Sequence, residues 1–275
     1  MKQKILFLCL LLTLCVSCNE YNKILKSPDV EVKYEAAKKY FNAGKYSKAI
    51  TLLEDINPIL GGTSHAEEGI YMLAQAYYKT KDYESATDMF KRYYTTFPKG
   101  EYAESARYYA AYGLYEQSPD VRLDQTDTRK AMSLFMEFLE YYPQSDKKQS
   151  AERAVVELQD KMALKELLVA RLYYNLGDYV AGYPFPGGNY LSCIITARNA
   201  MNSYPYSKFR EDFMYYTFKS RYELAKKSVD EKKDLRYRDV ADEYFSYKND
   251  YPTGKYNKEI EKLYNEIAKE LKITN

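Results

Sequence analysis

The chain has 275 residues, of which 46% are hydrophobic and 29% are charged. This composition is sufficient for a substantial core and excludes an intrinsically disordered chain. The single histidine, His65, excludes clustered histidine metal sites and leaves a histidine-dependent triad only one possible residue. Because His65 follows Gly61-Gly62-Thr63-Ser64, we interpret it as a solvated loop residue.

The amino terminus has the pattern of a bacterial export signal. Lys2 and Lys4 precede an apolar run over residues 5–14, which is too short to span a bilayer and suits the core of a signal peptide. The run ends in the sequence CVSC, which resembles a lipobox, although its first cysteine stands where leucine is usual. We therefore predict a signal peptide over residues 1–17 and lipidation of Cys18 with palmitate-type acyl chains.

Loss of residues 1–17 would change the charge balance. Two of the 41 Lys and Arg residues lie in this segment and none of the 39 acidic residues does, so 39 basic residues would face 39 acidic ones. A neutral chain lacks the clustered basic surface that nucleic acids require, so we predict no nucleic-acid partner. Membrane attachment would come from the lipid. The polar stretch 18–30 is predicted to be a flexible tether.

Four prolines mark a repeated pattern. Each follows an aromatic residue, and each predicts the end of a helix, because proline lacks an amide donor and restricts the residue before it. Positions 12, 8 and 5 residues before each proline fall on one helical face. For Pro98, Pro143, Pro205 and Pro252 in turn, these positions are Ala86, Phe90, Tyr93; Ala131, Phe135, Phe138; Cys193, Ala197, Ala200; and Val240, Tyr244, Tyr247.

Cys193 therefore occupies a small-residue position between paired helices. We predict a buried structural thiol there rather than a nucleophile. With Cys18 acylated and the two leader cysteines removed, no second thiol would be left for a disulfide.

A second register precedes the prolines. Tyr34 and Phe41 recur after 37 residues as Tyr71 and Tyr78, and after a further 37 as Tyr108 and Tyr115. An antiparallel helix pair repeated at this period cannot bury its apolar face alone, so neighbouring pairs must stack.

These residues resemble the tetratricopeptide repeat family. The segment 69–98 follows the repeat consensus through Ala74, Tyr78, Ala86 and Phe90, and residues 40–53 give a second match. The resemblance implies an all-α fold, a right-handed tetratricopeptide-repeat solenoid of about five helix pairs with a C-terminal capping helix. We expect one solenoid domain over 31–275, with repeats near 31–62, 66–100, 103–146, 158–208 and 211–254 and a capping helix over 256–272.

The order of the irregular features is similar to that in BamD-like outer membrane assembly lipoproteins. The shared features are a lipobox, five repeats, the insertion Leu123-Asp124-Gln125-Thr126 and Tyr-Pro-x-Ser helix ends, whereas the insertion at 183–189 departs from that family. The resemblance implies a scaffold without catalytic residues, cofactor or metal, anchored by lipid at the periplasmic face of the outer membrane. Its implied partners are the periplasmic POTRA domains of a BamA-like barrel protein, other subunits of the Bam complex and unfolded outer membrane proteins.

The same resemblance, with the tyrosine register, places an aromatic face on the concave side of the repeats. We hypothesise that it binds the terminal strand of a barrel protein, with Lys38 or Lys79 near the carboxylate; the alternative is that these rings only pack between repeats. The candidate residues are Tyr34, Lys38, Phe41, Tyr71, Gln75, Tyr78, Lys79, Tyr108, Tyr112 and Tyr115.

Two other functions remain open on sequence. One is a different periplasmic repeat lipoprotein, such as a secretin pilotin or a secretion-system scaffold. The other is a glycan-binding lipoprotein that stacks sugars on its tyrosine-rich surface.

Overall fold

The computed structural model of the chain describes residues 20–179 and 188–270. Throughout these ranges the backbone forms helices joined by turns, with no β-strand, so the all-α prediction is confirmed. The helices are α1 (20–25), α2 (Val30–Asn42), α3 (Tyr46–Leu60), α4 (Ala66–Lys79), α5 (Tyr83–Thr96), α6 (Ala103–Gln117), α7 (Thr126–Tyr141), α8 (Lys148–Leu176), α9 (Gly188–Ser203), α10 (Arg210–Lys226), α11 (Asp230–Asp250) and α12 (Asn257–Glu270).

The chain divides into two compact units. The first runs to Pro119 and resumes over Thr126–Ala154, so it holds α1 to α7 and the start of α8. The second comprises Asp120–Gln125 and the chain from Val155, so it holds the rest of α8 and α9 to α12. Helix α8 begins at Lys148, ahead of residue 158, where the sequence predicted the fourth repeat to start.

The proline positions end helices as predicted. Helices α5, α7, α9 and α11 each stop two residues before their proline. At Phe97 and Tyr251, the residues that precede two of these prolines, the backbone leaves the helical region, and each amide still donates to a helix carbonyl four residues earlier.

The predicted inward face of these helices is confirmed. Of the twelve positions counted back from the prolines, Tyr244 is half-buried and the other eleven are buried. Cys193 is a free, fully buried thiol, as predicted, and burial raises its pKa.

A carboxylate on the first helix of a pair accepts hydrogen bonds where two pairs meet. In the second pair, Tyr93 Oη donates to Glu67 Oε1 at 2.5 Å, and the amide of Tyr102 donates to Tyr93 Oη at 3.0 Å. In the fifth pair, Tyr247 Oη donates to Glu211 Oε1 at 2.6 Å, and Tyr256 N lies 3.2 Å from Tyr247 Oη. We call these the tyrosine junctions.

The third and fourth pairs use serine instead. Ser145 Oγ donates to Glu104 Oε1 at 2.6 Å, and Ser207 Oγ donates to Asp160 Oδ1 at 3.0 Å. Each serine lies two residues after the proline, where the tyrosine junctions have glycine. We call these the serine junctions.

In the first helix pair, the partner of the first-helix carboxylate is a histidine. His65 Nε2 lies 3.1 Å from Glu31 Oε2, and the imidazole stacks on the ring of Tyr34 with centroids 4.1 Å apart. His65 lies in the turn before α4, as predicted, but its ring is half-buried against a buried tyrosine and is not fully solvated.

Helix α1 lies where the sequence predicted a flexible tether. Tyr21 packs edge-on against Tyr40 with ring centroids 5.5 Å apart, and Ile24 and Leu25 pack against the core of the first helix pair. Residues 20–25 of the predicted tether thus form a docked helix, because Tyr21, Ile24 and Leu25 share one helical face. Cys18 lies outside the described residues.

Helix α12 covers the last pair. Ile260, Tyr264 and Ile267 are buried, and Tyr264 stacks on Tyr244 with centroids 3.9 Å apart. The outward side carries charged residues, including Lys258 and Glu261, as expected of a terminal repeat.

Candidate peptide-binding face

The first tyrosine register divides into core and surface positions. Tyr34 is 1% exposed, and its hydroxyl donates to Glu68 Oε2 at 2.6 Å. Burial, together with this carboxylate, raises the pKa of Tyr34. Tyr108 is 8% exposed, and its hydroxyl lies 2.9 Å from Ser150 Oγ. Both rings belong to the core and do not line an open surface.

Tyr71 is half-buried on α4 and forms the centre of a ring cluster. It stacks on Tyr102 with centroids 4.3 Å apart and an interplanar angle of 9°. Gln75 Nε2 donates to Tyr71 Oη at 3.0 Å. Burial raises the pKa of Tyr71, so the phenol is a neutral hydrogen-bonding group near neutral pH.

Tyr78, one register further along α4, contacts rings from α6. Its centroid lies 5.2 Å from that of Tyr109 and 6.4 Å from that of Tyr112. Burial and the nearby Glu116 raise the pKa of Tyr78. Tyr112 in turn lies 5.3 Å from Tyr115, and both are half-buried.

Together these side chains form a half-exposed surface on α4 and α6. We call it the aromatic face, and it comprises Tyr71, Gln75, Tyr78, Lys79, Tyr102, Tyr109, Tyr112 and Tyr115. Phe41 on α2 is also half-buried and packs edge-on against Tyr46.

The two candidate lysines differ. Lys38 Nζ is 2.7 Å from Glu68 Oε1, and this contact, with the bond from Tyr34, lowers the pKa of Glu68. Lys38 is thus occupied by a protein carboxylate. Lys79 is exposed at the end of α4 and is the better candidate for a ligand carboxylate.

Sequence reasoning missed Tyr102 and Tyr109, which belong to this surface. Tyr102 precedes α6, outside the helical register that was followed. Tyr109 follows Tyr108 directly on α6; its ring contacts that of Tyr108 edge-on, with centroids 5.4 Å apart, and packs on Phe90 with centroids 5.8 Å apart. The adjacent pair Tyr108-Tyr109 was the available signal, since neighbouring helical residues are rotated by about 100° and a buried one can be followed by one nearer the surface.

Other kinds of site were sought across the same residues. In the ranges 20–179 and 188–270, no cluster of three or more histidine, cysteine, aspartate or glutamate side chains is placed to hold a metal ion. None of the helices described here combines the length and apolarity needed to cross a membrane. Most of the insertion at 183–189 lies outside the described residues.

The fold and this surface define a helical-hairpin repeat protein with an aromatic face. The model of the YfiO family, described as outer membrane lipoprotein, matches residues 27–183. This match spans more than half of the chain, and the chain belongs to that family.

Similar proteins carry the name outer membrane protein assembly factor BamD. The chain is 24% identical over 152 residues to the protein of Caulobacter vibrioides, which covers 55% of this chain and 50% of that protein. It is 28% identical over 170 residues to the Neisseria meningitidis serogroup B protein, covering 58% and 63%. The Haemophilus influenzae protein is 27% identical over 190 residues, covering 66% and 72%. The chain thus spans about half to three quarters of these relatives.

Proposed function

We propose that the chain is a lipid-anchored scaffold subunit of the outer membrane β-barrel assembly complex, without catalytic activity. It binds the POTRA domains of a BamA-like barrel protein and other subunits of that complex, and it engages unfolded outer membrane proteins. The observation that carries the proposal is membership of an outer membrane lipoprotein family whose similar members are named assembly factors.

The helix pairs support a scaffold role. Stacked pairs offer extended surfaces to other polypeptides, because each pair exposes one side of its first helix. The exposed groups of the aromatic face are phenol rings, an amide and an ammonium group, and these can recognise a polypeptide without taking part in a reaction.

The aromatic face is our proposed substrate site. Stacked tyrosines such as Tyr71 and Tyr102 offer flat apolar area with polar edges, which suits an extended peptide rich in aromatic residues. The exposed ammonium of Lys79 would pair with a terminal carboxylate.

Copurification tests the scaffold role. The full chain, extracted from native membranes with a mild detergent, should bring down a barrel protein that carries POTRA domains. Recovery of a secretin or of glycan-processing proteins in its place would contradict the proposal and favour one of the alternative functions.

A charge reversal tests the aromatic face. Replacing Lys79 by glutamate should weaken binding of a fluorescent peptide that ends in an aromatic residue with a free carboxylate, measured by anisotropy. Lys232→Glu, at an exposed position on α11, makes the same charge change on a helix that contributes no residue to this surface and should leave affinity unchanged.

The peptide offers its own control. Its C-terminal amide should bind the unmodified chain more weakly than the acid does, and Lys79→Glu should remove that difference. If both lysine variants bind the acid equally well, Lys79 has no part in recognition.

A further inference from the structure

Helix α1 leaves little chain between the fold and the predicted lipid. Glu20 is already helical, so only two peptide steps separate it from Cys18. At about 3.6 Å for each extended residue, those steps span at most about 7 Å. If Cys18 carries acyl chains in the bilayer, the start of α1 must lie next to the lipid head groups.

The contacts of Tyr21 fix which end of the first helix pair lies beside α1. Its ring meets Tyr40, near the end of α2, and Lys48 Nζ lies 4.9 Å from the ring centroid, in the first turn of α3. Both residues flank the turn that joins α2 to α3. The start of α1 is therefore held at this turn, and the opposite end of α3 lies further away.

The surface around this turn is basic. Lys23 is exposed on α1, Lys26 is exposed directly after it, and Lys45 is exposed in the α2–α3 turn. In the described part of the chain none of these three forms an ion pair. Glu20 is the one carboxylate on α1. Lysines at a membrane surface are attracted by anionic head groups.

We propose that α1 and the α2–α3 turn rest on the membrane, with Lys23, Lys26 and Lys45 against anionic phospholipid head groups. This inference rests on the lipid anchor of the proposed function and replaces the predicted loose tether by a fixed attachment. The first helix pair is then held with its α2–α3 turn toward the bilayer.

Depth-dependent quenching tests this arrangement. The acylated full chain would carry Cys193→Ala, since alanine holds the matching position in two other pairs. A fluorophore is attached through Ser47→Cys at the start of α3 or through Ser64→Cys beyond its end; both serines are exposed. Each labelled chain is placed in nanodiscs of phosphatidylethanolamine and phosphatidylglycerol that contain a head-group nitroxide lipid.

We expect several-fold stronger quenching at position 47 than at position 64. Replacing Tyr21 and Leu25 together by serine should release α1 and make the two signals similar, while circular dichroism shows the rest of the chain still helical. In phosphatidylcholine discs the difference should shrink, because the lysines lose their anionic partners.

Mass spectrometry of the N-terminal peptide distinguishes a failure of the membrane-resting arrangement from a failure of the lipid anchor. An acylated chain with equal quenching at both positions overturns the membrane-resting arrangement and leaves the scaffold proposal intact. A chain without acyl groups overturns the lipid anchor as well. Strong quenching at position 47 in a chain that captures no POTRA-containing protein would support the arrangement and contradict the scaffold role.

Discussion

The tyrosine junctions and the serine junctions perform the same task with different atoms. In both, a carboxylate on the first helix of a pair accepts a hydrogen bond from a hydroxyl in or just after the second helix of that pair. At Glu67 and Glu211 the hydroxyl comes from a tyrosine five residues before proline, and at Glu104 and Asp160 from a serine two residues after it. The difference shows that the carboxylate is the fixed element of a junction and that its donor can move along the chain.

Glycine explains why the two donors do not occur together. A Cβ atom at Gly100 would lie 2.6 Å from Tyr93 Oη and still closer to Glu67 Oε1. At Gly254 the same atom would meet Tyr247 Oη and Glu211 Oε1. A tyrosine junction therefore needs glycine two residues after the proline. In the serine junctions, the position of the tyrosine is held by Phe138 and Ala200, which lack a hydroxyl.

The largest expected effect comes from Gly100→Ser, which introduces the serine of a serine junction while the tyrosine of the tyrosine junction still fills that space. The added atoms should destabilise the chain by about 1–3 kcal/mol through overpacking. Adding Tyr93→Phe should recover more than half of that loss, because the pair then matches Phe138 and Ser145. Urea denaturation of both variants measures this, and a double variant no more stable than Gly100→Ser would show that the junctions are not interchangeable.

Tyr247→Phe should come next. It removes the bond to Glu211 and the acceptor for the amide of Tyr256, at a cost of about 1–2 kcal/mol. The matched control is Tyr206→Phe at a ring that is 98% exposed, where the midpoint of unfolding should not move. Equal midpoints for the two variants would mean that the junction bond contributes nothing.

Alkaline pH should weaken the tyrosine junctions and leave the serine junctions intact. Burial and the neighbouring carboxylates raise the pKa of Tyr93 and Tyr247 above the ordinary value near 10. Their contribution to stability is complete below that value and is lost as pH rises above it, by about 1.4 kcal/mol per pH unit for each tyrosine that stays protonated only in the fold. Chemical denaturation between pH 9 and pH 11 should therefore show a shallower decline in a Tyr93→Phe/Tyr247→Phe variant, and parallel declines would contradict this.

The smallest effects concern two equivalent turns. Gly44 and Lys81 lie 37 residues apart and both have positive φ, 70° and 64°. Lys81→Gly should stabilise the chain by up to about 1 kcal/mol, because the left-handed conformation costs a side-chain-bearing residue that amount. Gly44→Ala should destabilise it by a similar amount through conformation alone, since a Cβ there meets no atom within 4 Å. Thermal melts of the two variants should move in opposite directions.

The inward faces of the second helices could be predicted from the sequence because each proline supplies an origin for counting. From Pro98, for example, the positions of Ala86, Phe90 and Tyr93 follow from helical geometry alone, and all three are buried. The same rule identified the second helix of each repeat.

How deeply each tyrosine on the first helices is buried could not be predicted in this way. Tyr34 and Tyr71 occupy the same register, yet Tyr34 is buried because its hydroxyl reaches Glu68, while Tyr71 is half-buried against Tyr102. These partners lie about 30 residues away in sequence. His65 and α1 were misjudged for the same reason, because their flanking residues are polar and their contacts come from distant helices.

The buried thiol of Cys193 can serve as a reporter of local opening. Its side chain is fully enclosed between α8, α9 and α10, and burial raises its pKa, so a thiol reagent cannot reach a reactive thiolate in the closed fold. The rate at which such a reagent modifies this residue in the native protein would measure how often α9 separates from α8 and α10. Cys193 is therefore a native probe of local opening, and no cysteine has to be introduced by substitution.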